Sequence, residues 1–362
     1  MRTISIQAGG AIYEALVGCD LLSECGALIA KVLRGPRCAL IADEKTAALF
    51  ADTTMTSLRA AGFDPLLVTI PSGEGAKSLA QVGTVCDAMT AAGLDRTSFV
   101  VALGGGVVGD LGGFAAAIYH RGIPHVQIPT TLLAQVDSAI GGKTAVNTPH
   151  GKNLLGAVHQ PALVIADMDT LETLLPREFN QGFAEIIKHA VIADATLFQE
   201  VVQISNLHAH QTASWKLAPL VARNIEIKAA VVAQDEQDIS GARAVLNFGH
   251  TVGHAIERAS GYGRFLHGEA ISLGIVAACE ISVKKAGLSD SERETVIASL
   301  ETFGLPTKLP TDISRAEILS AVSADKKFER GEVRFVVTPR LGSAHLTRVV
   351  TLDHIRAAID SL

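Results

Sequence analysis

Across roughly the first half of the chain, short apolar, β-branched runs alternate with longer segments of helical period. No other feature constrains the fold as much. Residues 38–42, 66–70, 99–103, 125–128 and 163–165 read as strands. Between them, 44–61, 78–92 and 107–117 are each long enough for three or more helical turns, and Gly62 and Gly93 stand at the expected C-cap positions of the first two. Strand and helix in turn make βα units, so the spacing predicts an α/β fold with a mostly parallel sheet. After Leu175-Pro176 the pattern changes: 179–202, 218–235, 250–259, 268–285 and 290–303 carry helix-period apolar spacing, followed by a late hairpin at 333–337 and 344–350. The expectation is an N-terminal α/β domain over 1–175 and an all-α domain over 176–362, with a ligand cleft between them.

Composition removes several function classes. A net charge of −6 and a content of only 4% aromatic residues disfavour both a phosphate-tracking basic face and a base-stacking platform, so nucleic acid is not expected. Charged residues make up only 19% of the chain against 48% hydrophobic, which favours surface hidden in a cleft or between subunits. Cys19, Cys25, Cys38, Cys86 and Cys279 form no CxxC pair and leave one over, the usage of a reducing compartment. The N-terminus alternates like a strand and has no secretion-signal core, so a cytoplasmic protein is expected. The longest apolar stretch, 99–119, holds six glycines and Asp110 and makes a poor membrane span.

Within that stretch a buried strand runs into a glycine turn and a helix start, and Gly104, Gly106 and Gly109 satisfy GxGxxG. Such a turn lets backbone N–H groups and a helix N-terminus face a pyrophosphate, although the same pattern also suits a strand-to-helix turn with no ligand. A second loop, Ser72-Gly73-Glu74-Gly75-Ala76-Lys77, again joins a strand to a helix, and two such loops at one sheet edge suit a dinucleotide better than either alone. The segment 129–147 is dense in hydroxyls and glycines, and Lys143 and Lys152 beside Asn153 offer what an anionic ligand needs, although two lysines in a loop equally suit solvated charges. In the helical half, His250 and His254 stand four apart on one helix face, a spacing able to grip a metal ion although it also suits hydrogen-bonded structure, and His267 follows. Upstream, Glu185, Lys188 and His189 share one helical stripe. A carboxylate with imidazoles would make a catalytic divalent site, most commonly zinc.

Taken together these segments resemble the 3-dehydroquinate synthase family, from the first strand to Asp325-Lys326-Lys327. The motifs Gly104-Gly105-Gly106-Val107-Val108-Gly109-Asp110, His120-Arg121-Gly122, 129–147, Lys152-Asn153-Leu154-Leu155-Gly156, Ala184-Glu185-Ile186-Ile187-Lys188 and 246–257 stand in that family's order and spacing. The resemblance implies tightly held NAD, a divalent zinc or cobalt ion and a homodimer. It implies metal ligands Glu185, His250 and His267, with His254 turned instead to the substrate phosphate. NAD contacts are implied at Ser72, Gly73, Glu74, Gly75, Ala76, Lys77, Gly106, Val107, Val108, Gly109, Asp110, Thr130, Thr131, Lys143, Lys152, Thr170, Leu171, Glu172 and Thr173. Substrate contacts are implied at Asp137, Lys143, Asn153, Lys188, Lys228, Arg243, Asn247, His254 and one of Lys326 or Lys327, with Arg121 reaching from the partner subunit. Two departures stand out: the family's Asp-Gly-Glu reads Ser72-Gly73-Glu74, and the run through Asp238 to Arg243 is one residue longer.

The reaction implied is that of a carbon–oxygen lyase acting on a phosphate, the second step of the shikimate pathway to chorismate and the aromatic amino acids. A seven-carbon keto-acid phosphate, 3-deoxy-D-arabino-heptulosonate 7-phosphate, is transiently oxidised by NAD, loses phosphate, is reduced, opens and closes by an intramolecular aldol to 3-dehydroquinate. NAD is regenerated. Three alternatives stand beside it: another sugar phosphate cyclase, a polyol or glycerol-phosphate dehydrogenase with net NAD turnover, and a non-enzymatic metal-dependent dinucleotide-binding module.

Overall fold

The structure is a computed structural model and describes residues 1–204, 211–236, 241–261, 263–323, 328–329 and 332–362. Among these, 1–174 with 211–236 form one compact unit, and 175–204 with the residues from 241 onward form another.

The first unit is built on a seven-stranded sheet. Its strands are β1 (Arg2–Ala8), β2 (Ala11–Gly18), β3 (Arg37–Asp43), β4 (Asp64–Ile70), β5 (Phe99–Gly104), β6 (His125–Pro129) and, after a separate hairpin, β9 (Leu163–Asp167), in the order β1-β2-β9-β6-β5-β3-β4. Only β1 and β2 pair antiparallel within it; the other neighbours are parallel, as the βα alternation predicts. Successive residues of a strand point to opposite faces, and here both faces are covered. Cys38, Leu40 and Ala42 therefore enter one apolar cluster with Val101 and Leu103, while Ala39 and Ile41 enter another with Val100 and Ala102. The helices α2 (Glu44–Ala60), α3 (Leu79–Ala91) and α4 (Gly106–Ile118) begin and end within about two residues of the expected spans. Gly62 and Gly93 carry the positive φ of C-caps, 87° and 75°.

From β3 the chain passes outward to β4 and then back across β3 to β5. The strand order thus reverses between β3 and β5, and their carboxyl ends mark the crevice where open α/β sheets bind ligands. Both glycine loops leave the sheet at this end. The hairpin β7 (Lys143–Thr148) and β8 (Gly151–Val158), which the sequence pattern did not mark, forms its own two-stranded sheet. The helix Ala218–Gln234, α8 below, lies in this first unit, following the 176 boundary only in sequence.

The second unit is helical. Its helices include α5 (Pro176–Asn180), α6 (Gly182–Ala193), α7 (Ala195–Val202), α9 (His250–Ala259), α10 (His267–Lys285) and α11 (Asp290–Thr302), with a hairpin at Phe335–Arg340 and Ser343–Thr347 and a shorter antiparallel pair at Phe328–Glu329 and Glu332–Val333. The continuous apolar period over 179–202 is broken into three helices, since α5 opens on Pro176 and Asp194 caps α7 by accepting from the Leu197 N–H at 3.0 Å.

One buried group in the first unit ties the fold to pH. His125 begins β6 fully buried, and among the described residues neither of its ring nitrogens has a hydrogen-bond partner. Burial pushes its pKa down to about 3, and His159, stacked on it with centroids 5.0 Å apart, adds to the effect. Between the unfolded value of about 6.5 and that depressed value, the unfolded chain takes up a proton the folded chain refuses, so stability falls on acidification through this window and is unaffected above it. Urea unfolding is expected to show wild type losing about 2 kcal/mol more than His125→Leu between about pH 7 and pH 5. Equal losses in both proteins would remove His125 from the account.

Candidate functional site

Most of the residues expected to contact NAD lie at the carboxyl ends of the sheet strands. Gly104 ends β5 and Gly106 begins α4, so the GxGxxG turn sits at the crevice. Its glycines are needed for space. A Cβ at Gly104 would lie 2.6 Å from Val108, and one at Gly109 would lie 2.7 Å from the Gln127 amide, whose Nε2 donates to the Gly109 carbonyl at 3.0 Å. Gly109 thus lets the helix lie close on β6, the packing role of the third glycine in a dinucleotide turn. Gly106, Val107 and Val108 form the first turn, and Asp110 follows one turn on, its carboxylate 2.5 Å from Lys77 Nζ.

In the first loop Gly73 carries φ 97° and residues Glu74, Gly75 and Ala76 form one 3-10 turn. Ser72 Oγ donates to Asp43 Oδ1 at 2.8 Å. Asp43 ends β3 and caps α2, accepting from the backbone of Lys45 and Thr46. A carboxylate, lacking at position 72, is therefore present at the crevice from a neighbouring strand. Asp43 carried no role in the sequence reading; the available signal was an acid directly after the apolar run 38–42.

Thr130 and Thr131 follow β6 on the same edge. The Thr130 N–H donates to the Gly104 carbonyl at 3.0 Å, and Thr131 Oγ1 accepts from the Ala134 N–H at 3.2 Å. Thr170, Leu171, Glu172 and Thr173 lie in the 3-10 turn after β9. Their polar groups face their own surroundings: Thr170 Oγ1 donates to Asp167 O at 2.7 Å, Thr173 Oγ1 to Thr170 O at 2.9 Å, and Glu172 Oε1 accepts from Ser214 at 3.4 Å. Lys143 and Lys152, read as loop residues, stand on β7 and β8. Lys143 pairs with Val158 and Gly151 with Thr148, which places the two lysines near opposite ends of the hairpin, roughly 17 Å apart at 3.3 Å per residue. Lys228 on α8 is buried, with Nζ 2.6 Å from Asp137 Oδ1 and 2.7 Å from Asp137 O. Arg121 is exposed after α4, in a run where His120, Arg121 and Gly122 all have positive φ (48°, 69° and 117°).

The metal-side residues come together in the second unit. Glu185 on α6, His250 at the start of α9 and His267 at the start of α10 each offer a ligand atom, all within 4.8 Å of one another. The chemistry of this set fits a cation. His250 Nδ1 lies 3.1 Å from the Phe248 carbonyl, which can only accept, so Nδ1 carries the proton and the Nε2 lone pair faces Glu185 Oε1 at 3.6 Å. A lone pair set against a buried carboxylate is repulsive unless a positive charge lies between them. Burial first and Lys188 second hold His250 well below the usual imidazole range against the pull of Glu185. Burial also pushes His267 down, but the carboxylates of Glu185 and Glu257 on its two sides outweigh it and raise it to about 9. Its Nε2 lies 3.7 Å from Glu185 and its Nδ1 3.6 Å from Glu257. Glu257 was quoted in the sequence motif without a role, although it extends the His250–His254 stripe; it stands where an outer carboxylate orients a metal-binding imidazole.

His254, Glu257 and His267 also fall within 4.8 Å of one another, but His254 is exposed while Glu185 and His250 are buried. Lys188, also buried, pairs with Glu185 one turn away. Arg243 is buried in the 3-10 turn Ala242–Asn247 that ends at Asn247. Lys326, Lys327 and Asp238 lie outside the described residues.

Close backbone approach makes this convergence possible. A Cβ on Gly268 would sit 2.1 Å from the Gln181 carbonyl, so only glycine lets the start of α10 meet the start of α6. Glu269 then caps α10, accepting from the Leu266 N–H at 2.8 Å, and is held by Arg177 through two contacts of 2.6 Å.

Comparison with known proteins gives one family. Residues 67–181 match the sequence profile of the 3-dehydroquinate synthase N-terminal domain, and residues 182–328 that of its C-terminal domain. The 3-dehydroquinate synthase of Symbiobacterium thermophilum is 45% identical over 361 residues, 99% of each chain. Among solved structures, 2-epi-5-epi-valiolone synthase from Streptomyces hygroscopicus, with NAD+ and Zn2+ bound, is similar at a TM-score of 0.86 and 27% identity over 100% of this chain and 99% of that one. A 2-deoxy-scyllo-inosose synthase complexed with carbaglucose-6-phosphate, NAD+ and Co2+ reaches a TM-score of 0.89 over 99% of both chains at 24% identity, a likeness of fold alone.

Proposed function

Because the chain belongs to the 3-dehydroquinate synthase family, we propose that it converts 3-deoxy-D-arabino-heptulosonate 7-phosphate to 3-dehydroquinate and phosphate, with NAD regenerated in each cycle. The observation that carries this reading is the set of buried Glu185, buried His250 and half-buried His267, in a chain whose other unit presents two glycine loops at a strand-order reversal. Glu185, His250 Nε2 and His267 Nε2 hold a zinc or cobalt ion. When bound, the ion supplies Lewis acidity and NAD a reversible hydride acceptor.

The remaining chemistry belongs to the chain's own residues. The Asp43 carboxylate and the loop from Ser72 to Lys77 receive the adenosine half of NAD, and the first turn of α4, Gly106 to Asp110, faces its pyrophosphate. Thr130, Thr131, Lys143, Lys152 and the turn from Thr170 to Thr173 complete the cofactor site. Arg243, a buried and permanently charged group, pairs with the substrate carboxylate, since a guanidinium offers two parallel donors to its oxygens. Lys228, fixed by Asp137, adds a second cation. Lys188 and the exposed His254 serve the phosphate end, with Asn153 and Asn247 on the hydroxyls between. Arg121 completes the site of a partner subunit in a homodimer. Five free cysteines accord with a cytoplasmic location, and no helix among the described residues is long and apolar enough to cross a membrane.

A carboxylate-free cyclase substrate is the nearest rival, and Arg243 separates the two. Arg243→Ala is expected to lower kcat/KM for the heptulosonate phosphate by about 100-fold or more, since it removes a charge-assisted pair. Wild type is expected to release no phosphate from glucose 6-phosphate. Phosphate release from glucose 6-phosphate at a comparable rate would transfer the assignment to another cyclase.

A further inference from the structure

We propose that Lys77 is a positioning residue that holds the Asn153 carbonyl oxygen so that the amide meets the substrate through its N–H groups, and the site reads an oxygen lone pair of the substrate at that point. Lys77 stands in the first glycine loop, where an ammonium would ordinarily be assigned to cofactor phosphate, yet it is only 5% exposed and its Nζ is engaged elsewhere. It lies 2.5 Å from Asp110 Oδ2 on α4 and 2.6 Å from Asn153 Oδ1 on β8. An ammonium can only donate, so the Asn153 atom facing it is the carbonyl oxygen, which leaves the two N–H donors of this exposed amide for another partner. The backbone holds the same arrangement. Asn153 adopts φ 56°, a left-handed conformation that asparagine tolerates, and its N–H donates to Asn147 Oδ1 at 3.0 Å. Asn147 closes the ring, with its Nδ2 donating to Glu74 Oε1 at 2.7 Å and its N–H to the Lys77 carbonyl at 2.9 Å.

The loop that begins the cofactor site and the hairpin residue assigned to substrate are therefore one hydrogen-bonded assembly. Lys77 joins them. A side chain held this way keeps its carbonyl oxygen on Lys77 and presents its N–H groups to a hydroxyl or carboxylate oxygen.

The inference rests on the synthase reading for the identity of the ligand. It is tested by a double-mutant cycle read as KM for 3-deoxy-D-arabino-heptulosonate 7-phosphate, with the NAD Kd measured separately by calorimetry. Asn153→Ala is expected to raise KM about 10- to 100-fold in the wild-type background and by less than about 2-fold once Lys77→Met has released the amide. Lys77→Arg, which keeps a charge for Asp110 while displacing the donor from Asn153, runs in the same cycle in case Lys77→Met does not fold, with the same loss of coupling expected. Asn153→Asp keeps an acceptor for Lys77 but has no N–H to offer, and is expected to raise KM as much as Asn153→Ala. An equal Asn153→Ala effect in every background, or a wild-type KM in Asn153→Asp, overturns the proposal. A wild-type protein without turnover would instead reject the synthase reading, so the two failures are distinct.

Discussion

His250→Ala is expected to lose the divalent ion and turnover together, whereas His254→Ala keeps the ion and loses turnover. The two histidines lie one turn apart on α9 with ring centroids 5.2 Å apart, so spacing along the helix does not separate them. Their surroundings do. His250 is buried, donates from Nδ1 to the Phe248 carbonyl and directs Nε2 at Glu185, while His254 is exposed. Removing His250 takes one of three protein ligands from a site that must hold the ion in a low-dielectric setting. Metal affinity should fall by more than about 100-fold, the upper end of what loss of an outer-shell partner costs. His254→Ala should leave metal content within about twofold of wild type, since no ligand has been removed. Metal analysis after gel filtration, beside phosphate release, checks both. Equal metal loss in the two variants would overturn the ligand choice, and loss in His254→Ala alone would replace Glu185, His250 and His267 with the neighbouring set His254, Glu257 and His267.

Gly274→Ala is expected to destabilise the helical unit and weaken metal binding with it. Gly274 lies on α10 where α9 begins, and an added Cβ would sit 1.9 Å from the Gly249 carbonyl and 2.8 Å from the Gly253 nitrogen. Both are backbone atoms, so no side chain can swing aside and α9 itself must move. Gly249 has φ 76° and directly precedes His250, so the displacement falls on the ligand. Overpacking of this kind costs about 1–3 kcal/mol, a drop of roughly 2–12 °C in Tm for a unit of this size. Gly83→Ala is the control. Gly83 lies within α3 with nothing within 4 Å of its added Cβ, so alanine should stabilise by about 0.5–1 kcal/mol through helix propensity alone. A Gly274→Ala protein with wild-type Tm and metal content would remove the close-approach argument.

What the sequence made legible divides along physical lines. The strands at 99–104 and 163–167 are buried on both faces and read as continuous apolar runs, so burial itself writes the signal. The hairpin of β7 and β8 is not buried in this way: most of β8 is exposed. Its pairing depends on close approach, since a Cβ on Gly156 would lie 2.1 Å from the Thr144 carbonyl, and that is a property of two strands together. Spacing in one helix likewise pointed to His250 with His254, because a 3.6-residue period shows neighbours on one helix only. The set around His250 draws on α6, α9 and α10, so Glu185 and His267 were assigned through family resemblance and their convergence is visible only in three dimensions. Asp43 and Glu257 acquire their roles the same way, from the contacts with Ser72 and His267.

The central claim is that NAD returns its hydride within each cycle. It is tested most directly by mixing the metal-loaded protein with 3-deoxy-D-arabino-heptulosonate 7-phosphate and substoichiometric NAD, and following phosphate and absorbance at about 340 nm together. Phosphate released well beyond one equivalent of NAD, with no lasting absorbance, is the expected result. Lasting NADH that grows with substrate consumed would make the protein a dehydrogenase with net NAD turnover and contradict the account.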